Sequence, residues 1–288
     1  MIRVGRLILA GFLLAVAAAV ASAEEETRVA CDMELATPIS GDSLRVLSLN
    51  ASHGRSTAIN QVLVSKEAQY RNLDTIANLL AEAEPDVVAL QEADAPSLWS
   101  GLFDHVAYLA EQASYPCRLQ GLHSQTFAAS YGTALLSRAP QLEPTSRKFT
   151  PSPPTTQKGY VRAQFLWQTP SSTRQLTVVS VHLDFLSQKT RGSQVAEMVA
   201  DLSQLDGSLI VLGDLNSEWG AKGSQVKRLA EQLDLQAFEP ESDDLGTFKN
   251  GSRLDWILIS DDLQFLRHEI RPEVVADHFA VFAEVGLR

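Results

Sequence analysis

Three apolar runs in this chain deliver proton-handling side chains at the points where strands would end. Val87-Val88-Ala89-Leu90 runs into Gln91-Glu92, Val178-Val179-Ser180-Val181 into His182-Leu183-Asp184, and Leu209-Ile210-Val211-Leu212 into Gly213-Asp214-Leu215-Asn216. A fourth arrangement is reversed: Ala276-Asp277-His278 stands at the entrance of a stretch that alternates Phe279, Val281, Ala283, Val285 and Leu287 toward one face. Such a set suits metal-assisted hydrolysis. Hard divalent cations take oxygen ligands, usually one or two carboxylates with water and substrate phosphate, and Glu92 fits that demand. Asp214 and Asn216, two residues apart, share one face of a continuing strand, where one orients a nucleophilic water and the other touches phosphate. Asp277-His278 suits an oriented general base. Each feature alone has a plainer reading: a solvated acid for Glu92, and an Asx turn after Gly213 for Asp214. No Ser in a nucleophile elbow is present, and no Cys-His spacing suggests structural zinc.

These residues need a scaffold that brings strand ends to one rim. Leu44 to Leu49 predicts a first strand ending at Asn50, and helical spacing follows at Tyr70, Leu73, Ile76, Ala77, Leu80 and Ala83. That helix must stop before Glu84-Pro85, because the residue ahead of proline is pushed out of the α region. A second helix is predicted from near Pro96 through Leu98, Leu102, Val106 and Leu109. Tyr131 to Ser137, Leu142 to Phe149, Tyr160 to Trp167 and Gln175 to Asp184 then form four strand-like runs with no helix between them. Helical spacing returns at Val195, Met198, Val199, Leu202 and Leu205 and again over 226–233, before strands at 254–259 and 279–287. Two strand-rich halves, each flanked by helices, predict an α/β fold: a four-layered α-β-β-α sandwich of two mainly antiparallel sheets. The helix-free span from Gly132 to Asp184 argues against a doubly wound parallel sheet.

Arg3 and Arg6, an apolar stretch from Leu7 to Val20 and the small residues Ala21-Ser22-Ala23 predict a cleavable secretory signal over 1–23, and hence a periplasmic or extracellular protein. The apolar stretch is short of the roughly 20 residues that span a bilayer, so no integral anchor is expected once the signal is cleaved. Residues 24–43 are expected as an acidic N-terminal tail and 44–288 as one domain, monomeric. The formal charge of −11 grows more negative without Arg3 and Arg6, which disfavours non-specific polyanion binding. Cys31 and Cys117, an even count in an exported chain, suggest one disulfide, with two buried thiols as the alternative.

The ordered set of Asn50, Gln91-Glu92, Tyr131-Gly132-Thr133-Ala134-Leu135-Leu136-Ser137, His182-Leu183-Asp184, Gly213-Asp214-Leu215-Asn216, Arg253-Leu254-Asp255-Trp256 and Ala276-Asp277-His278 resembles the endonuclease/exonuclease/phosphatase superfamily. That superfamily includes pancreatic-type deoxyribonucleases, abasic-site endonucleases, inositol polyphosphate 5-phosphatases and neutral sphingomyelinases. The likeness covers about residues 44 to 287. It implies that Glu92 holds a catalytic Mg²⁺, with Mn²⁺ as the alternative, assisted by Asn50 and in some arrangements by Asp277. It further implies His278 beside the scissile phosphate with Asp255 fixing its tautomer, Asp214 positioning or deprotonating water, Asn216 and His182 donating to non-bridging oxygens, and Tyr131 adding a phosphate contact. Ala276 departs from the Ser often found there.

The function expected is therefore an exported metal-dependent phosphoesterase acting on a phosphodiester, with a lipid head group or other small diester ahead of nucleic acid. A binding module on the same scaffold would not require the complete set. The substrate-reading loops are expected at 51–66, 146–158 and 238–249. His53, in the first of these, is read as a surface or satisfied histidine, with lining of the site near Asn50 as the alternative, Lys158 and Arg162 as surface charge or anion contacts, and Arg191 and Gln194 as caps or braces of their helix.

Overall fold

The computed structural model describes residues 27–288, so the signal expected over 1–23 lies outside the described residues. β1 (Thr27–Cys31) and the two-residue β2 (Ile39–Ser40) precede β3 (Ser43–Asn50). The first helix, α1 (Lys66–Ala83), starts where the Ser65 side chain accepts from the Ala68 N–H and ends at Glu84, in the left-handed conformation ahead of Pro85. β4 (Val87–Asp94) and α2 (His105–Gln112) follow. Then β5 (Cys117–Gln125), β6 (Ser130–Ser137), β7 (Leu142–Lys148), β8 (Gly159–Gln168) and β9 (Thr173–His182) run without an intervening helix. The chain closes with α3 (Gln188–Leu202), β10 (Ser208–Asp214), α4 (Gln225–Gln232), β11 (Leu235–Ala237), β12 (Asp255–Ser260), β13 (Leu263–Ile270) and β14 (Val281–Leu287).

The strands form two sheets of seven. One has the order β1-β5-β6-β4-β3-β14-β13; the other has β11-β12-β10-β9-β8-β2 with β7 also paired to β8. Most neighbours are antiparallel, as expected. The parallel pairs β3–β4 and β9–β10 matter for the site, because each sends two strand ends to the same edge. Facing sides of the sheets bury Val46, Leu135, Phe165, Trp167, Ile210 and Val281 between them. The outer faces are covered by α1 and α2 through Leu73, Ile76 and Leu109, and by α3 and α4 through Val195, Met198 and Leu229. Each such side chain stabilises the fold by roughly 1.5–3 kcal/mol through removal from water.

Two local expectations change. Residues 96–103 are turns and bends, and α2 begins only at His105, capped by Asp104, whose side chain accepts from the Ala107 N–H. Ser100 Oγ bonds the Ala95 carbonyl, and Gly101 and Leu102 take positive φ, so a helix cannot start at Pro96. Within the stretch 27–43, β1 pairs along β5 and β2 along β8. Phe279 precedes β14 and gives its N–H to the Thr247 carbonyl, while Val281, Ala283 and Val285 face the core as predicted. Cys31 and Cys117 stand opposite each other in β1 and β5 and are joined by a disulfide.

Candidate active site

β4 carries a bulge between Leu90 and Ala93, placing Gln91 and Glu92 opposite one residue of β6. A bulge re-aims the side chain it carries. Glu92 takes φ 49° there and turns toward the loop after β3. Its Oε2 lies 3.2 Å from His53 Nε2 and 4.0 Å from the Arg55 guanidinium. Arg55 also reaches Asp277 at 3.1 Å, and Ser52 Oγ donates to the same acid. Ala276 offers no hydroxyl, so Ser52 is the one that serves Asp277. Burial pushes the Glu92 carboxyl up, but His53, Lys158 and Arg55 outweigh it and hold the group below the usual carboxylate range. His53 answers in the opposite sense: burial lowers it, while Asp94 and Glu92 raise it above its ordinary value.

The second half of the site comes from the other sheet. Gly213 has φ 149°, and a Cβ there would lie 2.0 Å from the Val181 carbonyl oxygen, so only glycine lets β10 pass β9 so closely before Asp214. Asp214 is buried, accepts from Asn50 Nδ2 at 3.1 Å, and stands 3.4 Å from His182 Nε2 and 3.8 Å from His278 Nε2. His278 Nδ1 pairs with Asp255 Oδ2 at 2.8 Å, and Thr247 donates to that same oxygen. Burial opposes charge on His278, yet Asp255, Asp214 and Asp277 prevail and raise it far above an ordinary histidine. Burial and the neighbouring Asp255 both push Asp214 up. His182 moves the other way: burial, Lys158 and His278 hold it neutral. Lys158 Nζ sits 3.3 Å from His182 Nδ1, which makes Nδ1 the acceptor and leaves the ring hydrogen on Nε2, facing Asp214.

Two groupings in this rim could hold a cation. Glu92 and Asp277 flank Arg55, so a positive charge already stands between them, and their carboxylates are oxygen donors of the kind a hard divalent ion takes. Asp214, Asp255 and His278 also place ligand atoms within 4.8 Å of one another. In that second group the oxygen and ring nitrogen that face each other are already paired, Asp255 Oδ2 with His278 Nδ1. The oxygens of the first group are likewise paired, Glu92 with His53 and Asp277 with Ser52 and Arg55, but its charged donors are both carboxylates, which suits a hard ion.

The sequence-predicted set of Asn50, Glu92, His182, Asp214, Asn216, Asp255, Asp277 and His278 thus meets at one rim, with Tyr131 packed edge-on against His53 at 4.6 Å. Asn216 differs in detail, since its amide donates to the Leu183 carbonyl and its backbone N–H to Asp214. Arg162 is remote from the rim, paired with Asp201. Gln194 and Arg191 brace the turn at Asp184, by accepting from its N–H and donating to its carbonyl. Ser52, His53, Arg55 and Lys158 are the residues that spacing undervalued. The signal for Lys158 was its place directly ahead of β8, whose first residue, Gly159, lies opposite His182.

The chain matches the endonuclease/exonuclease/phosphatase family model over residues 47–278, and it belongs to that family. Among solved structures it is similar to an endonuclease/exonuclease/phosphatase family protein from Leptotrichia buccalis, at 18% identity and TM-score 0.67, over 85% of this chain and 100% of the other. It is also similar to the human Nocturnin catalytic domain with bound sulfate anion, at 18% identity and TM-score 0.64, over 91% and 98% of the two chains. A Bacteroides thetaiotaomicron mannosyl-6-phosphatase aligns at 14% identity and TM-score 0.62, over 84% and 99%. At these identities the likenesses speak for the fold. Among curated proteins none matches the chain.

Proposed function

We propose that the protein is an exported Mg²⁺-dependent phosphoesterase that hydrolyses a phosphodiester, with a lipid head group or other small diester as substrate. The observation that carries this reading is the junction of the two sheets at Asn50 and Asp214, which sets a carboxylate pair beside an Asp-His pair across one cleft. The sulfate on Nocturnin and the phosphatase name of the Bacteroides relative support phosphate as the group bound. Family members are hydrolases that use divalent metals, and Mg²⁺ held by Glu92, Asp277 and Asn50 would neutralise phosphate charge.

Asp214 accepts the proton of the attacking water as the new O–P bond forms. The ester P–O bond then breaks, and protonated His278 hands its proton to the leaving oxygen while Asp255 keeps the ring in place. His182 Nε2 and Lys158 supply donors to the non-bridging oxygens, where charge grows. Burial of Lys158 among Glu92, Asp214 and Asp184 lets one cation serve the whole cleft.

Hydrolysis of bis-p-nitrophenyl phosphate, sphingomyelin, lysophospholipid and plasmid DNA, measured with Mg²⁺, with Mn²⁺ and with chelator, tests this reading. Diester cleavage abolished by chelation and restored by Mg²⁺ is expected. Turnover of none of the four, or turnover indifferent to chelator, overturns it, and a clear preference for DNA moves the substrate class to nucleic acid. Recovery of the chain from the periplasm or medium beginning after Ala23 tests export.

A further inference from the structure

The rim around the cleft is chemically lopsided. β3, β4 and β9 end there and the β5–β6 and β7–β8 hairpins turn there; the outer stretches 56–65, 95–103, 125–130, 149–157 and 185–188 of this rim lie between Arg55, Lys66, Asp94, Asp104, Lys148, Lys158, Asp184 and Lys189 at its base. Not one Asp, Glu, Lys or Arg occurs in these five segments, in a chain of which 20% is charged. Apolar side chains stand out from them instead. Ile59 is 97% exposed and Phe127 96%, with Leu63, Leu98 and Leu102 also largely in solvent and Trp99 partly so. Single exposed apolar residues are ordinary, but a contiguous group beside a cleft marks an interaction surface.

Hydrogen bonds show that three of the loops form one surface. Trp99 N–H donates to the Ala128 carbonyl at 2.9 Å, and Gln61 and Gln69 both donate to the Trp99 carbonyl. The surface is continuous with the site: the Trp99 ring lies 5.3 Å from the His53 ring, and His53 reaches Glu92. Across the cleft, Phe185 and Leu186 are exposed just beyond His182 and Asp184. The remaining part of the rim is the reverse in character, with Glu239, Glu241, Asp243 and Asp244 in the loop between β11 and β12.

We propose that the uncharged half of the rim docks on a zwitterionic lipid bilayer, so that the cleft opens onto phosphate carried at the membrane surface. The docking itself stands on the loops; the phosphate chemistry rests on the function proposed above. Charge selects the partner. Nucleic acid and anionic lipid are both held by Lys and Arg at the contact, whereas the exposed stretches here carry none, Arg55 and Lys158 at their base are turned inward onto Asp277 and His182, and the acidic loop repels both. A neutral bilayer accepts apolar tips at its interface and leaves uncharged polar neighbours such as Thr155, Thr156 and Asn60 at the head groups.

Sedimentation with phosphatidylcholine vesicles and with vesicles containing phosphatidylglycerol tests the proposal, run in chelator so that turnover plays no part. Trp167 and Trp256 are buried and Trp219 is half-buried, which makes Trp99 the principal exposed reporter, and its emission should shift to the blue on docking. The wild-type chain is expected to partition onto phosphatidylcholine, and the double variant Ile59→Ser, Phe127→Ser to partition at least tenfold less. Both side chains point into solvent, so the variant should keep the wild-type circular dichroism and its rate on bis-p-nitrophenyl phosphate. Absence of vesicle binding, equal binding by the variant, or binding only to anionic vesicles overturns the proposal. So does a dimer in light scattering that the double variant dissociates, since the face would then meet a second copy. Vesicle binding with no hydrolysis of any phosphodiester would instead leave docking standing and overturn the proposed catalysis.

Discussion

His53 engages two acids at once, with Nδ1 2.7 Å from Asp94 Oδ1 and Nε2 3.2 Å from Glu92 Oε2. The ring is held between Trp99 and Tyr131, and its backbone has φ 54°. A residue kept in that uncommon region by its surroundings is over-determined, which suits an orienting role. The ring fixes the direction in which Glu92 presents its carboxylate.

With Glu92 holding the metal as proposed, His53→Ala should raise the half-saturating Mg²⁺ concentration by about 10–100-fold, the usual cost of removing a partner of a ligand. Asp94→Asn should do the same to a smaller degree. Mn²⁺ binding followed by electron paramagnetic resonance reads this without turnover. An unchanged Mn²⁺ affinity in folded His53→Ala would show that Glu92 needs no such support.

His278→Ala should lower kcat by at least the 10²–10⁴ attributed to a general catalyst, and Asp255→Asn by less, because losing the orienter disturbs tautomer and position only. Circular dichroism must show both variants folded. Retention of more than about a tenth of the wild-type rate by folded His278→Ala, far above that range, would disprove the role drawn for the ring.

His268 gives a pH dependence remote from the cleft. Its ring stacks on Phe238 at 4.7 Å, neither nitrogen finds a hydrogen-bond partner, and burial followed by Arg253 lowers it to about 4. The folded protein keeps this ring neutral, whereas the unfolded chain protonates it below about 6.5. Stability from this group is thus complete above 6.5 and is lost as pH falls toward 4, up to about 3 kcal/mol. His268→Phe should flatten the denaturant midpoint across that window. Parallel midpoint curves for variant and wild type would count against it.

The Cys31–Cys117 disulfide closes a separation of 86 residues, for which chain entropy alone predicts about 4–5 kcal/mol. Reductant should lower the denaturant midpoint accordingly, and the protein from an oxidising compartment should show no titratable thiol. Two thiols after denaturation without reductant would contradict the bond.

How far the sequence reached follows from what its patterns encode. Strand ends were legible because parallel-paired strands are apolar on both faces, so the runs at Val87 and Leu209 stop sharply at the first polar residue. β13 was not, since Leu263-Gln264-Phe265-Leu266-Arg267-His268 breaks its alternation at a bulge on the sheet edge. The helix expected from Pro96 failed because the spacing of Leu98 and Leu102 mimics a buried stripe, whereas both are exposed. In the cleft, Glu92, Asp214 and His278 announce themselves by chemistry at strand ends. Arg55 and His53 do not, because a bulge far along the chain, between Leu90 and Ala93, decides which acid they meet.

One pairing carries a consequence for how the molecule comes into being. β14, the last strand, lies inside its sheet between β3 and β13, so β3 has its partner on that side only after residue 281 exists. A chain emerging from the ribosome can form local hairpins such as β5–β6 early, but the sheet that carries Asn50 and Glu92 stays open until residues 281–287 are made. Long-range closures of this kind are slow. Closure of this sheet is therefore deferred until β14 is made, and loss of residues 282–288 should yield an insoluble product rather than a folded but weakened one.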